Sequence, residues 1–289
     1  MRTIGSRAFD FSRQVAVMAV VNRTPDSFYD RGATFALDRA VEACERAVEA
    51  GADWVDIGGV PFAPGPALPV EEEIDRVLPV VRAVREQSDV VISVDTFRPE
   101  VAGACIEAGA GVVNDTTGLS HPELAAVVAD SDATLVLTHS LAAPRTVYPR
   151  PRYTDVVREV VSFLEERVDR ALAGGVPEDR LVVDPGHDLN KNTLHSLELT
   201  RRLGEVAAIG LPLLVAVSNK DFVGESIDAD KSERLEGSLA AMVLAIAQGA
   251  RIVRMHNVAE TIAAVRMTEA VLGMRQPAYL RHNMGDANE

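Results

Sequence analysis

Eight short apolar runs recur along the chain, and each ends in polar residues. The first is Val15-Ala16-Val17-Met18-Ala19-Val20-Val21, unbroken as expected of a strand buried on both faces. Asn22 ends it, and Thr24-Pro25-Asp26-Ser27-Phe28 cannot continue it, because Pro25 lacks a ladder donor while Asp26 and Ser27 favour a turn. The later runs are Trp54 to Gly59, Val90 to Thr96, Val112 to Asp115, Thr134 to His139, Leu181 to Gly186, Leu213 to Lys220 and Ile252 to His256. Helical periodicity separates most of them: Leu37 to Ala50, Val70 to Arg85, Pro99 to Ala108, Tyr153 to Ala173, Leu194 to Ala207, Arg234 to Ala247 and Val258 to Leu272. The shortest link is Pro122 to Val128. Eight strand-then-helix units predict an α/β chain folded as a (β/α)8 TIM barrel. An open doubly wound sheet is the competing arrangement, but it needs a chain reversal that nothing in the pattern marks.

Gly51-Ala52, Gly109-Ala110 and Gly249-Ala250 precede strands, which predicts a repeated helix-to-strand turn with a left-handed glycine. No linker divides the 289 residues, so a single domain over 1–289 is expected, with a frayed polar tail at 281–289. The net charge of −14 argues against nucleic acid as a partner. No apolar stretch is long enough to span a membrane and Met1 to Gly5 opens no signal peptide, so a cytoplasmic protein is expected. Cys44 and Cys105 fall in helical pattern without metal-ligand spacing and read as buried thiols.

In such a barrel the carboxyl ends of the strands line the mouth. Those ends carry Asn22, Asp56, Asp95, Asn114, Asp115, His139, Asp184, Ser218, Lys220, Arg254 and His256. Singly, Asp56 or Asp115 reads as a helix cap. Together the set suits a polar heterocycle carrying an anion: carboxylates and amides for a planar donor and acceptor edge, Arg and His for phosphate oxygens.

Asn22-x-Thr-Pro-Asp-Ser-Phe, Asp56-Ile-Gly-Gly, Ser93-Val-Asp95-Thr, Asn114-Asp115, Asp184-Pro-Gly, Ser218-x-Lys220 and Arg254-x-His256 stand in the order found in dihydropteroate synthases, and the chain resembles that family over nearly its whole length. The resemblance implies a homodimeric TIM barrel that joins a dihydropterin methyl pyrophosphate to p-aminobenzoate on the route to folate, with sulfonamides and sulfones competing for the arylamine site. It implies pterin-holding roles for Asp95, Asn114, Asp184 and Lys220. Asn22 corresponds to a Mg²⁺-site residue, an oxygen ligand for a hard ion shared with pyrophosphate. Arg254 and His256 correspond to the pyrophosphate clamp, making Lys220, Arg254 and His256 the candidate catalytic groups. Asp26 and Phe28 correspond to a mobile loop over the arylamine, and Ser218 stands in the same arylamine and pyrophosphate region. Pyrophosphate leaves before the amine attacks in that family, so catalysis depends on stabilising a departing anion and a cationic pterin.

The sequence departs from the pattern after the second strand. The family carries Glu-Ser-Thr-Arg-Pro-Gly where this chain has Val60-Pro61-Phe62-Ala63-Pro64-Gly65, so a hydroxyl and a guanidinium give way to Phe62 and Ala63. Losing one charge-assisted contact to the leaving group costs on the order of 2–4 kcal/mol of barrier, or ~10²–10³ in rate. Arg23 replaces an aliphatic residue, His187-Asp188-Leu189-Asn190-Lys191 replaces Ile-Gly-Phe-Gly-Lys, Asn219 replaces an Arg, and Ser140 replaces a Met after His139. The changes gather in the arylamine and leaving-group half, while the pterin half is mostly kept. The chain therefore resembles the divergent second paralogue of some bacteria, with a retained pterin pocket and little or no synthase activity. Two alternatives are a working synthase in which Arg23 replaces the lost guanidinium and a non-catalytic subunit partnering a true synthase. Barrels that bind methyl-pterins for corrinoid methyl transfer share the pocket logic but lack the Thr-Pro-Asp-Ser-Phe loop.

Overall fold

The structure is a computed structural model that describes residues 1–22, 33–60, 65–148 and 150–283, with backbone alone for Asn22 and residues 33–36. Two short strands, β1 (Arg2–Ile4) and β2 (Arg7–Phe9), form an antiparallel hairpin. The eight strands that follow are β3 (Ala16–Asn22), β4 (Trp54–Gly58), β5 (Val91–Asp95), β6 (Val112–Asp115), β7 (Thr134–Thr138), β8 (Leu181–Asp184), β9 (Leu213–Val215) and β10 (Ala250–Met255). They pair in parallel, in chain order, and β10 closes on β3 to complete the barrel. Each coincides with one of the expected apolar runs.

The helices are α1 (Ala33–Glu49), α2 (Val70–Gln87), α3 (Pro99–Glu107), α4 (Glu123–Ala129), α5 (Val156–Ala173), α6 (Thr193–Arg201), α7 (Leu203–Ala207), α8 (Asp221–Ile227), α9 (Leu235–Ala247) and α10 (Val258–Val271). The single helix expected over Leu194 to Ala207 breaks at Arg202, whose backbone leaves the helical region at φ −112° and ψ 23°. Helix α5 starts later than its periodicity suggested because Asp155 caps it, accepting from the amides of Val157 and Arg158 at 3.1 Å. The expected Gly-Ala turns are present, with φ of +100° at Gly51, +105° at Gly109 and +112° at Gly249. In the first two, the alanine amide reaches back to the carbonyl of Ala47 or Cys105 at 2.9 Å, as in a glycine-terminated helix.

Strand side chains alternate between the two faces of the barrel wall. Val17, Val55, Ile92, Val113, Leu135 and Val183 pack outward against the helices in one large cluster. Their neighbours Met18, Trp54, Val91, Val112, Val182 and Ile252 form a separate cluster inside the barrel. Ile4 and Phe9 of the hairpin join that inner cluster, and the Phe9 ring meets Trp54 edge-on with centroids 5.9 Å apart. The hairpin thus plugs the amino-terminal end of the barrel. It comes so close at its turn that a Cβ on Gly111 would lie 2.7 Å from the Gly5 Cα. The plug was not legible in hydropathy, since three-residue strands leave too short a period to detect.

Candidate active site

The inner face changes character two residues further along five of the strands. Beyond Trp54, Val91, Val112, Val182 and Ile252 stand Asp56, Ser93, Asn114, Asp184 and Arg254. Two residues later come Asp95 and His256. A period of two carries one face of the strands from a dry plug to a polar layer, so the position of these groups follows from strand geometry alone.

Asp56 is the hub of that layer and is fully buried. Its Oδ1 accepts from Ser93 Oγ at 2.6 Å. Its Oδ2 accepts from Asn114 Nδ2 at 3.1 Å and from Arg254 Nε at 2.7 Å. The Nη2 of Arg254 lies 3.6 Å from Asp95 Oδ2, so one guanidinium is set between two carboxylates. Taken singly, Asp56 reads as a helix cap, and only the strand-end set places it at the mouth; the signal that identifies it as the hub is its even spacing from buried Trp54. Asp115, the other cap candidate, does build a turn, accepting from Thr117 N at 2.8 Å and from Leu119 N.

A cavity of about 630 Å³ opens above this layer. Asp95, Asn114, Asp184, Lys220, Arg254 and His256, all expected from the sequence, line it together. Asn114 donates one Nδ2 hydrogen to Asp56, and its buried Oδ1 has no hydrogen-bond partner among the described residues. Asn114 therefore has an open acceptor here. The Asp184 carboxyl accepts from Gly186 N at 2.7 Å, and burial pushes it up to about 6 against the opposing pull of that bond and of the Lys220, Arg254 and Lys191 charges. Burial and the neighbouring Asp56 push Asp95 up to about 7, with Arg254 opposing. Burial also lowers the Lys220 ammonium, partly offset by Asp188 and Asp184.

The remaining strand-end residues stand behind the cavity wall. Ser218 Oγ contacts His256 Nδ1 at 3.0 Å and accepts from its backbone amide at 3.2 Å, which orients the imidazole. His139 Nδ1 lies 2.8 Å from the ammonium of Lys191, which also donates to the carbonyls of Gly186 at 2.9 Å and Leu189 at 3.1 Å. That lysine locks the connection after β8. Burial, ahead of the nearby charges, depresses Lys191 to about 7 and His139 to about 3. Asp188, the extra negative charge noted in the sequence, accepts from Asp221 N at 2.6 Å and Phe222 N at 3.3 Å and so caps α8 from another loop. Glu73 reaches the cavity from α2, accepting from Thr96 Oγ1 at 2.7 Å and pairing with Arg98 at 3.1 Å; no strand-end rule could have located it.

Arg23, Asp26, Phe28, Phe62 and Ala63 lie outside the described residues, as does the side chain of Asn22. Among the described residues no group of three or more His, Cys, Asp or Glu is placed to hold a metal ion. No helix among the described residues is long and apolar enough to cross a membrane.

The profile of the family described as pterin binding enzyme matches residues 18–256. The chain belongs to the pterin-binding enzyme family. Within it, the chain is 45% identical over 267 residues to the inactive dihydropteroate synthase 2 of Mycobacterium tuberculosis, covering 90% of this chain and 84% of that one. The fold matches a dihydropteroate synthase from Xanthomonas albilineans in complex with 7,8-dihydropteroate, with a TM-score of 0.81, 39% identity and coverage of 90% and 95% of the two chains. It also matches the Yersinia pestis dihydropteroate synthase in a sulfonamide drug complex, with a TM-score of 0.87, 36% identity and coverage of 94% and 100%. The pterin-binding family thus accounts for both the barrel and the order of its strand-end motifs.

Proposed function

We propose that the cavity binds a pterin or a closely related aminopyrimidinone and that the chain forms dihydropteroate slowly or not at all. The observation that carries the first half is the buried Asn114 Oδ1, an acceptor without a partner among the described residues, in the same cavity as the Asp184 carboxylate. A planar ring with adjacent N–H groups satisfies both, and Lys220 donates to its carbonyl or ring nitrogen. Arg254, anchored by Asp56, and His256, oriented by Ser218, then face an anionic substituent on the ring.

Support for the second half comes from Val60-Pro61-Phe62-Ala63, which lacks the hydroxyl and guanidinium of the synthase pattern, and from the mycobacterial relative named as inactive. The proposal includes Asn22 as a Mg²⁺ ligand shared with a diphosphate, weak sulfonamide binding, and a homodimer. Calorimetric titration with dihydropterin methyl pyrophosphate, with and without Mg²⁺, tests the pocket. A steady-state assay with p-aminobenzoate tests the chemistry. Rapid condensation by the purified protein overturns the second half, and no binding of the pterin overturns the first.

A further inference from the structure

The connection from β7 to α5 brings a second guanidinium into the cavity, at Arg145. Its backbone is left-handed at φ +59°, and its buried Nε has no hydrogen-bond partner among the described residues. No described carboxylate is close enough to form an ion pair with it. The guanidinium lies against Gly65, where a Cβ would collide with it, and Gly65 N donates to the Arg145 carbonyl at 3.1 Å. Gly65 lies two residues beyond Ala63, the position at which the synthase pattern carries its arginine. A guanidinium reaching from another loop therefore stands beside the segment that has lost one.

The position of that loop depends on Asn190. Its Oδ1 accepts from Leu141 N at 2.6 Å, Ala142 N at 3.1 Å and Ser140 Oγ at 3.1 Å. Its carbonyl accepts from Tyr153 Oη at 2.9 Å. Asn190 holds φ at +53°, a conformation Asn tolerates, where the synthase pattern has glycine, and its side chain ties the two connections together. A half-buried Arg stays charged, and an unmatched buried donor is costly, so a cavity that retains one suits a ligand that matches it.

We propose that Arg145 is an oxyanion-binding residue of this cavity, and that Asn190 is the positioning residue that presents it. The forked donors take the paired oxygens of a carboxylate or a phosphate. The inference deepens the pterin-site reading, and the test separates the two. Inorganic pyrophosphate and p-aminobenzoate are each titrated into the full-length protein, Arg145→Gln and Asn190→Gly, with unsubstituted pterin as a neutral probe on the same samples. Arg145→Gln is expected to weaken at least one anion about tenfold and leave pterin affinity within about twofold. Asn190→Gly, which tolerates the left-handed backbone, is expected to weaken the same anion less and also spare pterin. Loss confined to pyrophosphate assigns a phosphate, and loss confined to p-aminobenzoate a carboxylate. Unchanged affinity for both anions in Arg145→Gln, or no anion binding by the parent protein, overturns the proposal. Unchanged anion affinity in Asn190→Gly alone removes the positioning role. An anion response without any pterin binding sinks the pterin reading and leaves the role of Arg145 standing.

Discussion

Arg254 donates from Nε to the Oδ2 of Asp56 at 2.7 Å, joining residues 198 positions apart in the chain. Their strands, β10 and β4, flank β3, where Met18 is in register with Arg254 and Val20 with Asp56. The ion pair therefore ties together the place where the barrel closes, and it holds the guanidinium that the proposed site directs at an anion. Removing Asp56 leaves the buried guanidinium with only the more distant Asp95 at 3.6 Å and takes the acceptor from Ser93 and Asn114. Asp56→Ala is expected to cost ~3–5 kcal/mol in urea unfolding and to weaken pyrophosphate binding together with stability. A stability loss near zero would show that Asp95 alone suffices as the counterion of Arg254.

The pH dependence of ligand binding has a defined direction. With burial pushing the Asp184 carboxyl up to about 6 from an ordinary 3.8, its contribution to folding is fully present below about 3.8 and is lost as pH rises through about 6. Binding of a ring that donates N–H groups runs the other way, because it needs the ionised carboxylate. Pterin affinity measured by calorimetry is expected to rise between about pH 5 and about pH 7.5, and Asp184→Asn is expected to flatten that rise.

Gly186 closes the Asp-Pro-Gly turn at φ +65°, and a Cβ there would run into the carbonyl of His139. Gly186→Ala is expected to lower stability by at least ~1–3 kcal/mol and to weaken pterin binding, since Gly186 N holds the Asp184 carboxyl. Chemical denaturation and calorimetry on the same sample check both effects.

The hairpin is more than a decoration. Phe9 is 1% exposed against Trp54, so Phe9→Ala is expected to cost ~3–5 kcal/mol while leaving the geometry at the opposite end of the barrel intact. Unfolding curves should shift strongly, with pterin affinity at native conditions unchanged.

Cys44 and Cys105 are buried in α1 and α3, as their helical pattern suggested, and burial pushes both thiols up to about 12. A thiol reagent is expected to label neither in the native protein at neutral pH, and both after denaturation. Fast native labelling would contradict their burial.

The barrel was legible because each strand is a continuous apolar run ending in a polar residue, a signal that survives without knowledge of partners. Helix α8 was missed, because its seven residues carry Asp221, Gly224, Glu225 and Ser226 and show no clear apolar stripe. Six of the candidate residues line one cavity because the strand ends and the residues just past them converge at the mouth of a closed barrel. His139, Asp115 and Ser218 obey the same strand-end rule yet sit behind the wall, where Asp115 bonds within its own turn and His139 and Ser218 bond Lys191 and His256.

The one-dimensional pattern determined the (β/α)8 architecture, the turn glycines and the set of chemistries gathered at one mouth, since hydrophobic period and local backbone preference act within a few residues. Only the folded chain decided that Asp56 anchors Arg254, that the Asn114 oxygen is left open, and that Arg145 stands beside Gly65. Those relations join residues from different loops and strands, and their geometry depends on the angle and register at which the barrel closes, which no local preference encodes.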